Sequence, residues 1–171
     1  MAEFRIRATG AVMLEDELRR WARDNGGPSW DRTTDEVLEA FGADVVFEGP
    51  QATGGTVYQF SMRQGVEQVD GKWFTKHVLG PIFTDRPATD TEPAQTAAQQ
   101  EAAYKAQKDA EQSQAMREQR SQKLKETDWV VVKHLERNEN IPGAWEVYRQ
   151  ALRDVPTQQG FPWNVTWPEE P

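Results

Sequence analysis

The chain has no cysteine and only two histidines, His77 and His134. That removes disulfides, thiolate metal sites and cysteine nucleophiles, and two isolated imidazoles cannot supply a metal site by themselves. No apolar run approaches the roughly 18 residues of a membrane-spanning helix. Met1 is followed by AEFRIRATG, without the basic stretch and apolar core of a secretion signal, so a soluble chain made in a cytosol is expected. Positive charge is also short, with 20 Lys+Arg against 28 Asp+Glu and a net charge of −8. Because nucleic-acid affinity draws on clustered Lys and Arg, neither nucleic acid nor an anionic membrane is an expected partner. Hydrophobic residues are only 37% of the 171, so part of this length should be solvated and not packed.

What is present falls into three parts, and together they predict an α+β protein. Residues 1–88 carry mixed signals punctuated by glycine, read as a small N-terminal domain with an antiparallel sheet and two helices. Phe4, Ile6 and Ala8 alternate with Arg5 and Arg7, as on a strand with one buried face. Leu14, Leu18, Trp21 and Ala22 then fall at helical spacing, opened by Glu15, Asp16 and Glu17 and stopped by Asn25-Gly26. A second helix is expected from Thr33, which with Glu36 matches a capping box, and Val37, Leu38 and Phe41 form its stripe. Strands follow at 45–47 and 57–62. A hairpin comes next, in which EQV and KWFTKHVL flank Asp70-Gly71, a dipeptide suited to the positive φ angles of a tight turn.

Residues 89–126 are almost all Ala, Gln, Glu, Lys and Arg after Pro93, which predicts one long connecting helix. Ala98, Ala102, Ala106 and Ala110 recur every fourth residue and offer a route to self-association. No Leu or Ile heptad is sustained, however, so a strong coiled coil is not encoded. Residues 127–171 are expected to form a small helical module with an extended tail, and hold four of the seven tryptophans: Trp129, Trp145, Trp163 and Trp167. Asn140 as cap, Pro142 in the first turn, and Ile141, Trp145, Tyr148 and Leu152 in one line predict a helix that Val155-Pro156 ends. The prolines of FPWNVTWPEEP exclude a further helix and favour an extended course along another surface.

Little in the sequence points to catalysis. GPQATGGT at 49–56 has the glycine and threonine spacing of a phosphate-binding loop, but Gly55 stands where the loop needs a lysine, which makes an ordinary turn the better reading. No acid is fixed beside His77 or His134 by sequence, and the carboxylates near residues 15–17 and 36–39 are explained by helix starts and solvated faces. No catalytic, cofactor or metal-binding residue is expected. The tryptophans differ in kind, since aromatic side chains are common anchors of protein interfaces. Trp145, Tyr148 and Leu152 equally suit packing against the long helix, and Trp163 and Trp167 suit docking on their own domain as well as on a partner.

The stretch running from Thr127, Asp128 and Trp129 through Trp145, Tyr148, Arg149, Ala151, Leu152, Arg153, Asp154 and Pro156 to Phe161, Pro162, Trp167, Pro168 and Pro171 closely resembles the C-terminal module of bacteriophage tail fibre assembly proteins, the phage tail assembly chaperone family. An Ala-rich, Arg-bearing helix leading into an Asp-Trp pair is similar to that family as well. The resemblance implies a non-enzymatic assembly factor in the host cytoplasm, one that binds a phage tail fibre protein, through its C-terminal region, and assists folding and trimerisation. The alternative it leaves open is a structural adaptor that stays on the fibre or baseplate in the virion. Under either reading the partner-binding candidates are Trp129, Trp145, Tyr148, Arg149, Leu152, Arg153, Phe161, Trp163 and Trp167. Arg149 and Arg153 lie four apart on one helical face, where Asp154, acidic fibre groups or a C-terminal carboxylate could meet them, internal pairing being the favoured case.

Overall fold

A computed structural model describes residues 2–171. It contains two compact units, the first ending at Ile82 and the second spanning Phe83–Pro171.

The first unit is a five-stranded sheet with two helices. Strands β1 (Glu3–Ile6), β2 (Val12–Leu14), β3 (Ala43–Phe47), β4 (Phe60–Val69) and β5 (Lys72–Gly80) lie in the order β2-β1-β3-β5-β4. Helices α1 (Glu15–Asp24) and α2 (Asp35–Ala40) pack on β1, β2 and β3. Phe4, Ile6 and Ala43 point to one face and meet Leu18 and Leu38, with Met13, Trp21, Trp30 and Val45 around them. Alternation on the strand and helical spacing on α1 thus bury the same stripe. The Asp70-Gly71 turn joins β4 to β5, and both residues have positive φ, 48° and 78°, as the two central positions of a tight hairpin require.

Several details depart from the expectations. Pairing is antiparallel except between β3 and β5, which run parallel because β4 is inserted between them in the chain. The expected strand at 57–62 starts only at Phe60, since Thr56–Gln59 form a turn closed by Gln59 N–H to the Thr56 carbonyl. Leu14 ends β2 as the residue before α1, and its N–H donates to Glu17. Thr34, not Thr33, caps α2 through the Val37 N–H, because the Thr33 hydroxyl is held between Glu15 and the Trp30 indole. The loop at 49–56 lies against the sheet. Gly49 N–H donates to the buried Thr75 hydroxyl at 2.8 Å, and a Cβ on Gly49 would come within 2.0 Å of the Thr75 carbonyl oxygen.

In the second unit the chain forms α3 (Ala97–Glu126), α4 (Asp128–Glu136), α5 (Gly143–Asp154), a single 3-10 turn at Val155–Thr157 and a tail. Helix α3 begins four residues after Pro93, where Thr96 and Gln99 make a reciprocal capping box. None of its side chains is buried, and Ala98, Ala102, Ala106 and Ala110 are all exposed. Among the described residues no helix is long and apolar enough to cross a membrane.

Candidate functional site

The C-terminal module is built around a break. After Glu126 the long helix stops at Thr127, and α4 restarts one residue later. Thr127 is buried, with its hydroxyl donating to the Leu124 carbonyl at 3.0 Å. Arg149 reaches this break from α5, donating to the Leu124 carbonyl at 2.9 Å, the Thr127 hydroxyl oxygen at 2.5 Å and the Asp128 carboxylate at 2.7 Å. One guanidinium therefore ties the end of α3 and the start of α4 to the middle of α5, a task suited to its rigid fork of donors. Val130, Tyr148, Leu152 and Val155 complete the small core. Burial pushes the Tyr148 phenol above its usual range, and the Glu170 and Glu126 charges act in the same direction. Helix α5 starts after Pro142 and not at Asn140, since Trp145 and Glu146 N–H groups bond to the Pro142 carbonyl.

The tail returns along α3. The Trp163 indole N–H donates to Asp109 at 2.6 Å, and the Gln112 amide donates to the Pro162 carbonyl at 3.5 Å. Arg117 lies 5.6 Å from the Phe161 ring centre, and the Lys123 ammonium 5.7 Å from that of Trp167. Gln158 closes the tail loop by exchanging two hydrogen bonds with the backbone of Thr166.

The nine candidates thus fall into separate places. Tyr148, Arg149 and Leu152 are buried and hold the module together. Phe161, Trp163 and Trp167 are half-buried against α3. Trp129 and Trp145 form an edge-to-face pair with ring centres 6.2 Å apart, continued by Trp145 and Tyr148 at 6.1 Å. Trp129 is 56% exposed. It stands on the outer side of α4 with Val132 and Leu135, also exposed. Arg153 is exposed and has no ion pair among the described residues, since the Asp154 carboxylate accepts from Gln150.

Sequence reasoning did not anticipate Thr127, Asp109, Gln112, Arg117 and Lys123 as the hosts of Arg149 and of the tail. Only Arg149 left a signal, being a charged residue between Tyr148 and Leu152 on the buried side of an amphipathic helix. Elsewhere, His77 lies 3.6 Å from Glu48 and His134 lies 3.4 Å from Glu139, with imidazole side chains only 9% and 16% exposed. Among the described residues no group of three or more His, Asp or Glu could hold a metal ion.

Helices α4 and α5 thus form a helical hairpin with an aromatic, partly uncovered surface, tied by Arg149 to the end of α3. Residues 113–171 match the family model described as phage tail assembly chaperone protein. The match covers about one third of the chain and begins within α3. No curated protein and no solved structure matches the chain.

Proposed function

We propose that this protein is a non-enzymatic chaperone of phage tail fibre assembly, acting in the host cytoplasm by holding the C-terminal region of a fibre polypeptide during folding and trimerisation. The observation that carries the reading is the exposed Trp129, Val132 and Leu135 surface on the matched module, with Trp145 behind it. A solvent-facing indole backed by a second ring is the kind of anchor that dominates protein interfaces. Long β-rich fibre chains pair slowly over non-local contacts, and their exposed strand edges aggregate unless covered. A small module with a net-acidic chain attached suits transient covering of such a client.

Co-expression with the fibre gene of the same phage tests this. Wild-type protein is expected to bring the fibre into the soluble trimeric fraction. The Trp129→Ala, Leu135→Glu variant should lose about 2 kcal/mol or more of affinity, roughly 30-fold, with an unchanged circular dichroism spectrum. Equal rescue by the variant would refute the assigned surface, and an insoluble fibre with wild-type protein would refute the function. Stoichiometric presence in purified virions would instead identify the adaptor role.

A further inference from the structure

Nothing in the local sequence ends α3 at Glu126. From Ser121 to Leu135 the chain has neither glycine nor proline, and sharp breaks in long helices otherwise come from a side chain that enters the ladder of backbone bonds. In an unbroken helix the Leu124 carbonyl accepts from the N–H four residues on. Here it accepts instead from the Thr127 N–H at 3.2 Å, the Thr127 hydroxyl at 3.0 Å and a terminal nitrogen of Arg149 at 2.9 Å. Thr127 has φ −105° and ψ 4°, away from helical values, and the Val130 N–H turns back to its carbonyl at 3.2 Å. The Asp128 and Trp129 N–H groups thereby open a new helix that has no side-chain cap. The Thr127 hydroxyl is not enough to cause this. Ser121 bonds back to the Arg117 carbonyl at 2.8 Å inside α3 without interrupting it. A cation is favoured where carbonyls end a helix and an anion where N–H groups begin one. Arg149 supplies the first at the end of α3, and Asp128, bonded to the same guanidinium at 2.7 Å, supplies the second at the start of α4.

We propose that Arg149 is a positioning residue for the client surface: by taking the Leu124 carbonyl out of the ladder it forces the break at Thr127, and the break sets the direction in which α4 carries Trp129 onto Trp145. Without the guanidinium, residues 97–136 run on as a single helix. Trp129, Val132 and Leu135 all lie beyond the break, whereas Trp145 lies on α5 with Arg149 itself. The edge-to-face pair of Trp129 and Trp145, with ring centres 6.2 Å apart, spans the two sides. Helix α4 has nine residues and buries only Val130, so little besides the guanidinium holds it in its present direction. Arg149 is itself buried, and it acts on the surface through α4 and not by touching a client. The inference deepens the chaperone reading, on which it rests only for the use made of that surface.

Amide hydrogen exchange and circular dichroism of the full chain test this. In the native chain the Asp128 and Trp129 amides should exchange as open first-turn groups. In Arg149→Met they should bond to the Leu124 and Lys125 carbonyls of a continuous helix and exchange at least about tenfold more slowly. The coupled far-ultraviolet signal of the Trp129 and Trp145 rings should fall to the level of Trp129→Phe. A residue that only stabilised the module would give the opposite sign, faster exchange throughout residues 124–136. Thr127→Val removes the hydroxyl and keeps the guanidinium, so both amides should stay open. Arg149→Lys should slow them by at least about threefold, between the native chain and Arg149→Met, because one ammonium cannot span the three acceptors; should Arg149→Met fail to fold, this variant decides. The proposal is overturned if the two amides stay open or exchange faster in the Arg149 variants, or if Thr127→Val closes the ladder by itself. It is overturned too if the ring signal persists in a chain whose helix has become continuous. No client enters these measurements, so their failure is distinct from a failure of fibre rescue.

Discussion

Replacing Arg149 with methionine removes the guanidinium that joins three helices while keeping most of the side chain's apolar stem. Its three acceptors differ in what they contribute. The Arg149 side chain is 10% exposed, but that of Asp128 is 58% exposed, so solvent screens their ion pair and its share should be no more than about 1 kcal/mol. The Leu124 carbonyl and the buried Thr127 hydroxyl lie on the inner side, where charge-assisted hydrogen bonds contribute about 1.5–3 kcal/mol. The expected total is about 2–3 kcal/mol, which corresponds to a fall of roughly 10–20 °C in the midpoint of a unit of this size. Asp128→Asn should cost about 1 kcal/mol at most, and Arg149→Lys about 1–2 kcal/mol because one ammonium cannot span the same acceptors. Urea titration followed by near-ultraviolet circular dichroism reports on the Trp129, Trp145 and Tyr148 rings beside the site. If Asp128→Asn costs as much as Arg149→Met, or if Arg149→Met costs less than about 0.5 kcal/mol, the inner-side bonds do not carry the junction.

Two further outcomes follow from particular contacts. The two hydrogen bonds from Arg63, each 2.6 Å, hold the Glu3 carboxyl below its usual 4.5, and those from Thr33 and Arg19 do the same for Glu15. A carboxyl lowered on folding contributes its full stabilisation above its unfolded value and loses it as pH falls through the folded value. The midpoint of the first unit should therefore drop below about pH 4.5, and Glu3→Gln should flatten that dependence; an unchanged acid slope in the variant would remove Glu3 from the account. Trp163→Phe deletes the indole N–H bond to Asp109 and keeps a ring against α3, so amide exchange over residues 158–167 should quicken by about tenfold, equivalent to about 1.4 kcal/mol. Unchanged exchange there would remove the Trp163–Asp109 bond from the account of how the tail is held.

The features that could be read in advance are those carried by local signals. Composition marks α3, because Ala, Gln, Glu, Lys and Arg favour a helix whatever surrounds them. Period marks α1 and α5, and the Asp70-Gly71 pair marks its hairpin because few residues tolerate its backbone angles. The caps were harder, since a cap depends on which hydroxyl is free: Thr33 matches the pattern, yet Glu15 and Trp30 occupy it and Thr34 takes the role. Within the candidate site the tryptophans drew attention by number, but their separation into an outward Trp129 and tail rings lying on α3 depended on Asp109, Gln112, Arg117 and Lys123. Those four residues look like ordinary solvated helix positions in the sequence.

By itself the order of amino acids settled what kind of elements form, the α+β class, and the similarity of residues 113–171 to one family of tail chaperones. Those properties follow from backbone preference and from spacing along the chain, which neighbouring residues decide among themselves. Only the folded chain decided that Arg149 faces inward to three acceptors, that β3 runs parallel to β5, and that β4 ends the sheet. Each of these brings together groups far apart in sequence, and which partners meet is set by burial and pairing across the whole unit.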